Sequence, residues 1–140
     1  MTTQMLTTAV FEQTVLDNDI VLVDFWASWC GPCRTFGPIF EKASATHPDI
    51  VFGKVDTEAE QTLAAAAGIT SIPTLMAFRE GVLVFSQPGA LPAASLEQVI
   101  AGVRGLDMDD LRAQTAQSQA SQSQPVEPGA GEPPAASATS

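Results

Sequence analysis

Two cysteines separated by Gly-Pro are the residues of this chain best suited to chemistry. Cys30 and Cys33 are its only cysteines among 140 residues, and random placement would space two cysteines this way roughly once in seventy chains. An apolar run at residues 20–26 precedes them, and a helical pattern at residues 33–46 follows. A strand-to-helix junction of this kind favours an anion, here a thiolate, because its backbone N–H groups are unpaired.

Three kinds of site use a closely spaced cysteine pair. A structural disulfide across four residues would contribute only about 2 kcal/mol of loop-closure entropy, and short rings are often strained. A zinc site would need four ligands, and His47 is the only histidine. A dithiol–disulfide redox pair needs no further ligand. The redox interpretation is therefore favoured, with no metal and no cofactor.

The positions of the two sulfurs predict their roles. Cys30 precedes the helix and is expected to be the exposed, attacking thiolate, whereas Cys33 lies in the first turn and is expected to be more buried and to resolve the mixed disulfide. Asp24 interrupts the apolar strand, and burial there should raise its pKa. It is then a suitable acceptor for the proton of Cys33, directly or through one water. The alternative is a buried Asp24 merely paired with Lys54, which is also expected to tune it.

Composition and charge restrict the class of protein. The formal net charge of −10 argues against binding to nucleic acid or to an anionic membrane surface. The first twenty residues contain no Lys or Arg, so they do not resemble a secretory signal, and no apolar run reaches the length of a membrane span. We therefore expect a cytoplasmic protein, a compartment in which paired cysteines are more often catalytic than structural.

Hydrophobic periodicity predicts the order βαβαββα within about 105 residues. Two β–helix–β crossovers, a hairpin around Glu80-Gly81 and a final helix at residues 92–105 predict an α/β fold with a mixed sheet covered on both faces. A short edge strand and a helix capped by Thr8 are expected before this core. Residues 57–60 match a capping box, with Glu60 reaching back to Thr57, and Gly68 is expected to end the following helix.

The last part of the chain differs in composition. Residues 107–140 contain no aromatic side chain and are dominated by Pro, Ala, Ser, Gln and Gly. Such a segment buries too little apolar surface to offset its ordering entropy. We therefore predict a folded domain at residues 1–106 and a low-complexity, mostly disordered acidic tail at residues 107–140, with a weak helical segment near residues 107–116.

The segment at residues 21–34 closely resembles the active-site segment of the thioredoxin family. It contains Trp29-Cys30-Gly31-Pro32-Cys33 after the apolar strand with its aspartate. The resemblance extends over roughly residues 5–105 and leaves out the tail. It continues through several further positions: Pro38, Lys54-Val55-Asp56, Gly68-Ile69, Ser71-Ile72-Pro73-Thr74, Phe78, Gly81 and Gly89-Ala90.

This resemblance implies a fold, an activity and partners. The fold would be the thioredoxin fold, a central mixed β-sheet flanked by helices. The activity would be reduction of protein disulfides through Cys30 as nucleophile and Cys33 as resolving thiol, which form a disulfide when oxidised, assisted by Asp24. Electrons would come from an NADPH-dependent thioredoxin reductase and go to disulfide-containing client proteins, so the expected roles are electron transport and cell redox homeostasis. A monomer is expected.

The resemblance also implies which residues tune the site and which contact clients. Gly31 and Pro32 would set a reducing poise, together with Lys54. Clients would dock on an apolar rim, and the Ile72–Pro73 peptide bond would be cis. Besides Gly31 and Pro32, the rim consists of Trp29, Ile72, Pro73, Gly89 and Ala90.

Two further functions stay open at this stage. The chain would act as a binding or regulatory subunit of the same fold if its dithiol served only as a redox-sensing switch. It would instead be a dedicated reductant if a single client enzyme, such as a peroxidase or a reductase, took all of its electrons.

Overall fold

The computed structural model describes residues 3–114. The chain divides into two units, Met1–Leu106 and Asp107–Ser140. In the second unit residues 108–114 are helical, within the segment where a weak helix was expected. The disorder predicted for most of the tail concerns residues 115–140, which lie outside the described residues. No helix within residues 3–114 combines the length and the apolar character needed to cross a membrane.

Five strands and four helices make up the described part of the first unit. In chain order they are β1 (Thr3–Met5), α1 (Thr8–Asp17), β2 (Ile20–Trp26), α2 (Gly31–Thr46), β3 (Val51–Asp56), α3 (Gln61–Ala66), β4 (Thr74–Arg79), β5 (Val82–Pro88) and α4 (Ala93–Arg104). The sheet order is β1-β3-β2-β4-β5. β1, β3 and β2 are parallel, whereas β4 is antiparallel to β2 and β5 to β4. This confirms the expected mixed sheet flanked by helices.

β2 lies at the centre of this sheet. All of its residues are buried except Trp26, which is half-buried. A strand that is apolar on both faces needs cover on both sides, and the two hydrophobic cores provide it. On one face Leu22 packs with residues of α2 and α4, including Phe36, Phe40 and Ile100. On the other face, residues of α1 and α3 pack against β2, with Val15, Val23, Phe25 and Leu63 among the buried side chains.

Close approach of backbone and side chain explains a glycine in β3. A Cβ atom placed on Gly53 would collide with the side chain of Leu6, which is itself 2% exposed. Glycine therefore lets Leu6 pack against the sheet directly after β1, where its N–H donates to the carbonyl of Lys54 at 2.8 Å.

The β4–β5 hairpin has the turn that the sequence predicted. Glu80 and Gly81 have φ values of 52° and 82°, and a two-residue turn of type I′ requires positive φ at both positions. The Glu80 N–H donates to the carbonyl of Asp19 at 2.6 Å. The turn is thereby attached to the loop that leads into β2.

Helix capping differs from the prediction at two places. α1 begins at Thr8 with Thr7 as N-cap, and α3 begins at Gln61 with Glu60 as N-cap; neither cap side chain bonds its own helix. The predicted cap at Thr8 and the predicted capping box at residues 57–60 are therefore wrong. Instead Glu60 Oε1 accepts hydrogen bonds from the N–H and Oγ1 of Thr8 at 2.9 and 3.0 Å, so a residue 52 positions away caps α1.

Candidate redox site

The two cysteines lie at the start of α2, directly after the loop that leaves β2. They form a disulfide with a Cα–Cα distance of 5.2 Å. Cys30 is the N-cap, and its Sγ accepts a hydrogen bond from the N–H of Cys33 at 3.2 Å. Gly31 and Pro32 are the first two helical residues, and proline is suited to this position because no N–H is needed there. The observed disulfide favours the redox interpretation over the zinc alternative.

The expected difference in exposure between the two cysteine residues is wrong. Cys30 is 4% exposed and Cys33 is 5% exposed. The reason is tertiary: Trp26 and Ile72 pack against the cluster formed by Ala27 and the two cysteines. Sγ of Cys30 also lies 3.6 Å from the carbonyl oxygen of Ile72. Cys30 is thus distinguished by its hydrogen bond at the helix start and by its contact with Ile72, and not by greater exposure.

The loop before β4 places a second group of predicted residues beside the disulfide. The Ile72–Pro73 peptide bond is cis, as the family resemblance implied. Pro73 is buried, and its carbonyl accepts a hydrogen bond from the N–H of Gly89 at 2.7 Å. Gly89 and Ala90 are exposed. The structure therefore brings Cys30, Ile72, Pro73 and Gly89 into one neighbourhood, with Ala90 next in sequence.

Trp29 directly precedes Cys30 and is 64% exposed. Its Nε1 donates to Oε2 of Glu58 at 3.1 Å. Glu58 in turn is held by the loop, because its N–H donates to Oδ1 of Asp56 at 2.9 Å. A groove of about 520 Å³ runs between Trp29 and α3 and is also lined by Ile69 and Ile72. Glu58 was not predicted as a partner of Trp29, because residues 57–60 match a helix cap in the sequence.

Asp24 is buried in the middle of β2. Its exposed fraction is 0%, and neither carboxylate oxygen has a hydrogen-bond partner among the described residues. Burial raises the pKa of Asp24 to about 7 from its ordinary value of 3.8, and the positive charge of Lys54 opposes part of this rise. Asp24 is therefore close to half-protonated at neutral pH, as a proton acceptor for a thiol should be.

Lys54 is the neighbour of Asp24 in the parallel β2–β3 register. Its Nζ lies over the ring of Trp26, 5.2 Å from the ring centroid. Within residues 3–114 no contact ion pair forms between Lys54 and Asp24, so the alternative of a simple Asp24–Lys54 pair is wrong. The ammonium acts on Asp24 through space, while the indole of Trp26 provides its direct contact.

A cleft of about 510 Å³ opens beside Cys33, on the side of α2 that faces Lys54. Cys33, Gly37 and Glu41 line it from α2, and Trp26 and Lys54 line it from the sheet. We refer to it as the Cys33 cleft. The cleft stays open at Gly37, because α2 has no side chain there. A Cβ atom placed on Gly37 would lie 3.9 Å from Nζ of Lys54.

Comparison with known proteins identifies the family. The family model of Thioredoxin matches residues 2–102. The chain belongs to the thioredoxin family. Among relatives, a Streptomyces coelicolor protein whose name assigns it as thioredoxin 2 is 62% identical over 115 residues, which cover 82% of this chain and 86% of the relative. Thioredoxin 1 of Synechococcus elongatus is 43% identical over 97 residues, 68% of this chain and 91% of the relative.

Solved thioredoxin structures have the same architecture. A thioredoxin from Plasmodium falciparum is 35% identical with a TM-score of 0.66, covering 71% of this chain and 97% of that structure. Thioredoxin f from spinach chloroplast is 29% identical with a TM-score of 0.69, covering 74% of this chain and 95% of that structure. The thioredoxin fold implied by the active-site segment is thereby confirmed.

Family membership and the Cys30–Cys33 pair together establish the activity. This member of the thioredoxin family is a dithiol–disulfide reductase with a redox-active disulfide. Thioredoxins act on disulfide substrates and are reduced by thioredoxin reductase. The geometry described above then bears on which residue performs each step.

Proposed function

We propose that this chain reduces protein disulfides with Cys30 as the attacking thiolate and Cys33 as the resolving thiol. The observation that carries this assignment is the hydrogen bond from the N–H of Cys33 to Sγ of Cys30. A donor at the start of a helix stabilises negative charge on that sulfur. The Cys30 thiolate attacks one sulfur of the client, forming a mixed disulfide and releasing the first client thiolate. The Cys33 thiolate then attacks Sγ of Cys30, which releases the second client thiolate and forms the Cys30–Cys33 disulfide.

Asp24 is the proposed acceptor of the proton that Cys33 loses before the second attack. In this step the Cys33 thiol and the Asp24 carboxylate become the Cys33 thiolate and the Asp24 carboxylic acid. Three features support the role: Asp24 is buried, its oxygens have no hydrogen-bond partner among the described residues, and its pKa is raised to about 7. Lys54 limits that rise through its positive charge and is the proposed tuning residue, together with Gly31 and Pro32 between the cysteines.

Clients are proposed to dock on the exposed rim beside the disulfide. Trp29 supplies a large exposed ring, and the carbonyl of Ile72 lies within 3.6 Å of the reactive sulfur. An extended client segment would pair with the backbone at Ile72 as in strand addition. Gly89 and Ala90, which are exposed, would complete the rim. Pro73 is buried beside them and would support it, since its carbonyl accepts a hydrogen bond from the N–H of Gly89.

The cellular role is proposed on the same basis. The chain would be recycled by an NADPH-dependent thioredoxin reductase and would serve electron transport and redox homeostasis in the cytoplasm as a monomer. Residues 1–106 would form the thioredoxin domain, and residues 107–140 would act as a solubilising extension. It would need no bound cofactor of its own, because both electrons are carried by the sulfurs.

Turnover of insulin tests this function. Wild-type protein at micromolar concentration, with NADPH and a bacterial thioredoxin reductase, should reduce insulin, whereas Cys30→Ser should be inactive. Cys33→Ser should accumulate a mixed disulfide through Cys30, because the second attack is missing. Absence of wild-type turnover, when the same protein reduced chemically by dithiothreitol also leaves insulin intact, would contradict the proposal. The trapped clients of Cys33→Ser distinguish a general reductant, with many clients, from a dedicated one.

A further inference from the structure

The Cys33 cleft contains polar atoms that the reductase mechanism does not use. Oε2 of Glu41 and Nε1 of Trp26 are both buried and have no hydrogen-bond partner among the described residues. Both residues line the cleft together with Lys54. A buried acceptor and a buried donor that stay unpaired are costly. Their retention on residues that line two different sides of one cleft points to a ligand or to water between them.

Glu41 is held in place from outside the cleft. Its Oε1 accepts a hydrogen bond from Oγ1 of Thr3, at the start of β1, at 2.7 Å. One carboxylate oxygen is therefore fixed, while the other, Oε2, is buried and has no hydrogen-bond partner among the described residues. Gly37 lies one helical turn earlier on the same side of α2, and its missing side chain leaves open the path between Glu41 and Lys54.

Water fits this cleft on size and on chemistry. Its volume of about 510 Å³ is well above the roughly 30 Å³ that one water occupies in the liquid. An ordered water needs two to four polar partners, and the residues that line the cleft carry Nζ of Lys54, Nε1 of Trp26 and Oε2 of Glu41. Lys54 is next to Asp24 in register, and Cys33 lies on the same cleft wall as Glu41. The cleft therefore extends from Cys33 and from Lys54, the neighbour of Asp24, to the half-buried Glu41.

We propose that Glu41 exchanges the proton of Asp24 with solvent through water in the Cys33 cleft. The inference rests on the proposed role of Asp24 and extends it outward. After Asp24 has taken the proton of Cys33, the Asp24 carboxylic acid gives it to a water of the cleft. The Glu41 carboxylate accepts it from that water and releases it to bulk solvent, so both carboxylates return to their starting form. Glu41 acts through Asp24 and does not touch the reacting sulfurs.

Stopped-flow reduction of a fluorescently labelled disulfide peptide tests the proposal. Its first phase reports mixed-disulfide formation at Cys30, and its second reports attack by Cys33. Glu41→Gln should slow the second phase about fivefold, below the roughly 10²-fold typical of a direct acid–base group, and leave the first phase unchanged. Small proton carriers such as formate and imidazole should restore the second phase at constant ionic strength. Glu41→Asp should also restore most of it.

A control variant separates proton transfer at Glu41 from a change in net charge. Glu12→Gln removes an exposed carboxylate on α1, away from the cleft, and should react at the wild-type rate. A second phase of Glu41→Gln that equals the wild type, or that is slow and does not respond to formate or imidazole, would overturn the proposal.

Asp24→Asn, measured in parallel, keeps the two hypotheses distinguishable. A slow second phase in Asp24→Asn together with a normal one in Glu41→Gln would refute the role of Glu41 alone. A normal second phase in Asp24→Asn would refute the role of Asp24 on which it depends.

Discussion

The backbone N–H of Cys33 donates a hydrogen bond to Sγ of Cys30 across 3.2 Å. The two cysteines differ in their position relative to α2. Cys30 is the N-cap and its sulfur is the acceptor, whereas Cys33 is inside the helix and its N–H is the donor. The two cysteines are almost equally buried, so their exposure does not distinguish them. Under the proposed assignment the helix start does, because its N–H groups favour an anion on the sulfur of the N-cap residue.

Alkylation of the reduced protein checks this consequence. At neutral pH, iodoacetamide should label Cys30 in Cys33→Ser about tenfold faster than a cysteine in an unstructured peptide, since a larger fraction of the sulfur is thiolate. Cys33 in Cys30→Ser should label more slowly than the same peptide. Equal labelling rates for the two variants, measured by mass spectrometry, would contradict the assignment.

Asp24→Asn should affect the second chemical step far more than the first. Without a proton acceptor the attack by Cys33 should slow by about 10²-fold. Mixed-disulfide formation should stay within about twofold of the wild type, because Asp24 is proposed to act only on Cys33. In the wild type the second step should slow as the pH falls through about 7, because Asp24 becomes protonated there. The asparagine variant should lack this dependence. Two-phase stopped-flow traces between pH 6 and about 8.5 measure both effects.

Asp24 should also make the stability of the oxidised protein depend on pH. The folded-state pKa of about 7 lies above the ordinary value of 3.8, so the folded protein binds the proton more tightly than the unfolded chain. The proton bound by Asp24 makes its full contribution to the free energy of unfolding below pH 3.8. This contribution is lost as the pH rises through about 7. The difference between these values corresponds to about 4 kcal/mol.

Urea unfolding of oxidised wild type and of Asp24→Asn checks this sign. Relative to the variant, the wild type should lose unfolding free energy steadily from pH 4 to 7 and then level off. Leu22→Ala, which removes a buried apolar side chain of the same strand, should shift stability by about 2–5 kcal/mol at all pH values. A constant difference between wild type and Asp24→Asn would show that the carboxyl is not perturbed.

Trp29→Ala should weaken the reduction of proteins without affecting small disulfides. Loss of a large exposed ring at the centre of a docking surface typically costs more than about 1 kcal/mol, so KM for insulin should rise about fivefold or more with kcat nearly unchanged. The small disulfide 5,5′-dithiobis(2-nitrobenzoate) should react at the wild-type rate. A KM for insulin that stays at the wild-type value would exclude Trp29 from the docking surface.

Glu58 should share part of this effect through its hydrogen bond to Trp29. Glu58→Ala removes the acceptor for Nε1, so KM for insulin should rise by about twofold, as expected for loss of one exposed hydrogen bond. Glu58→Gln keeps an oxygen acceptor and should restore the wild-type KM. If the two variants gave the same KM, the effect would come from charge and not from the orientation of the ring.

Features encoded by neighbouring residues were predictable from the sequence. The bounds of β2 follow from a run that is apolar at every position except Asp24, and the hairpin follows from Glu80-Gly81 between two strand-like segments. The Cys30–Cys33 pair and the buried Asp24 were recognisable for the same reason, since each stands out against its local pattern.

Features that depend on distant partners were not predictable in this way. Thr57 and Glu60 match a capping box, but Oγ1 of Thr57 donates to the carbonyl of Trp26 and Glu60 caps α1. Cys30 is covered by Ile72, which is 42 residues away in sequence. Lys54 reaches the ring of Trp26 instead of Asp24, although the strand register alone suggests an ion pair. In each case a tertiary contact replaced the local one.

The hydrogen bonds from Thr8 to Glu60 matter for how the protein is handled in the laboratory. They join the beginning of α1 to the loop that carries Glu58, the partner of Trp29. Affinity tags or fusion partners placed ahead of Thr3 are therefore close in sequence to a contact with the loop that holds the indole of Trp29, the proposed client contact. Attachment through a side chain on the opposite edge, such as exposed Ser86 of β5, leaves that connection undisturbed for immobilisation and labelling.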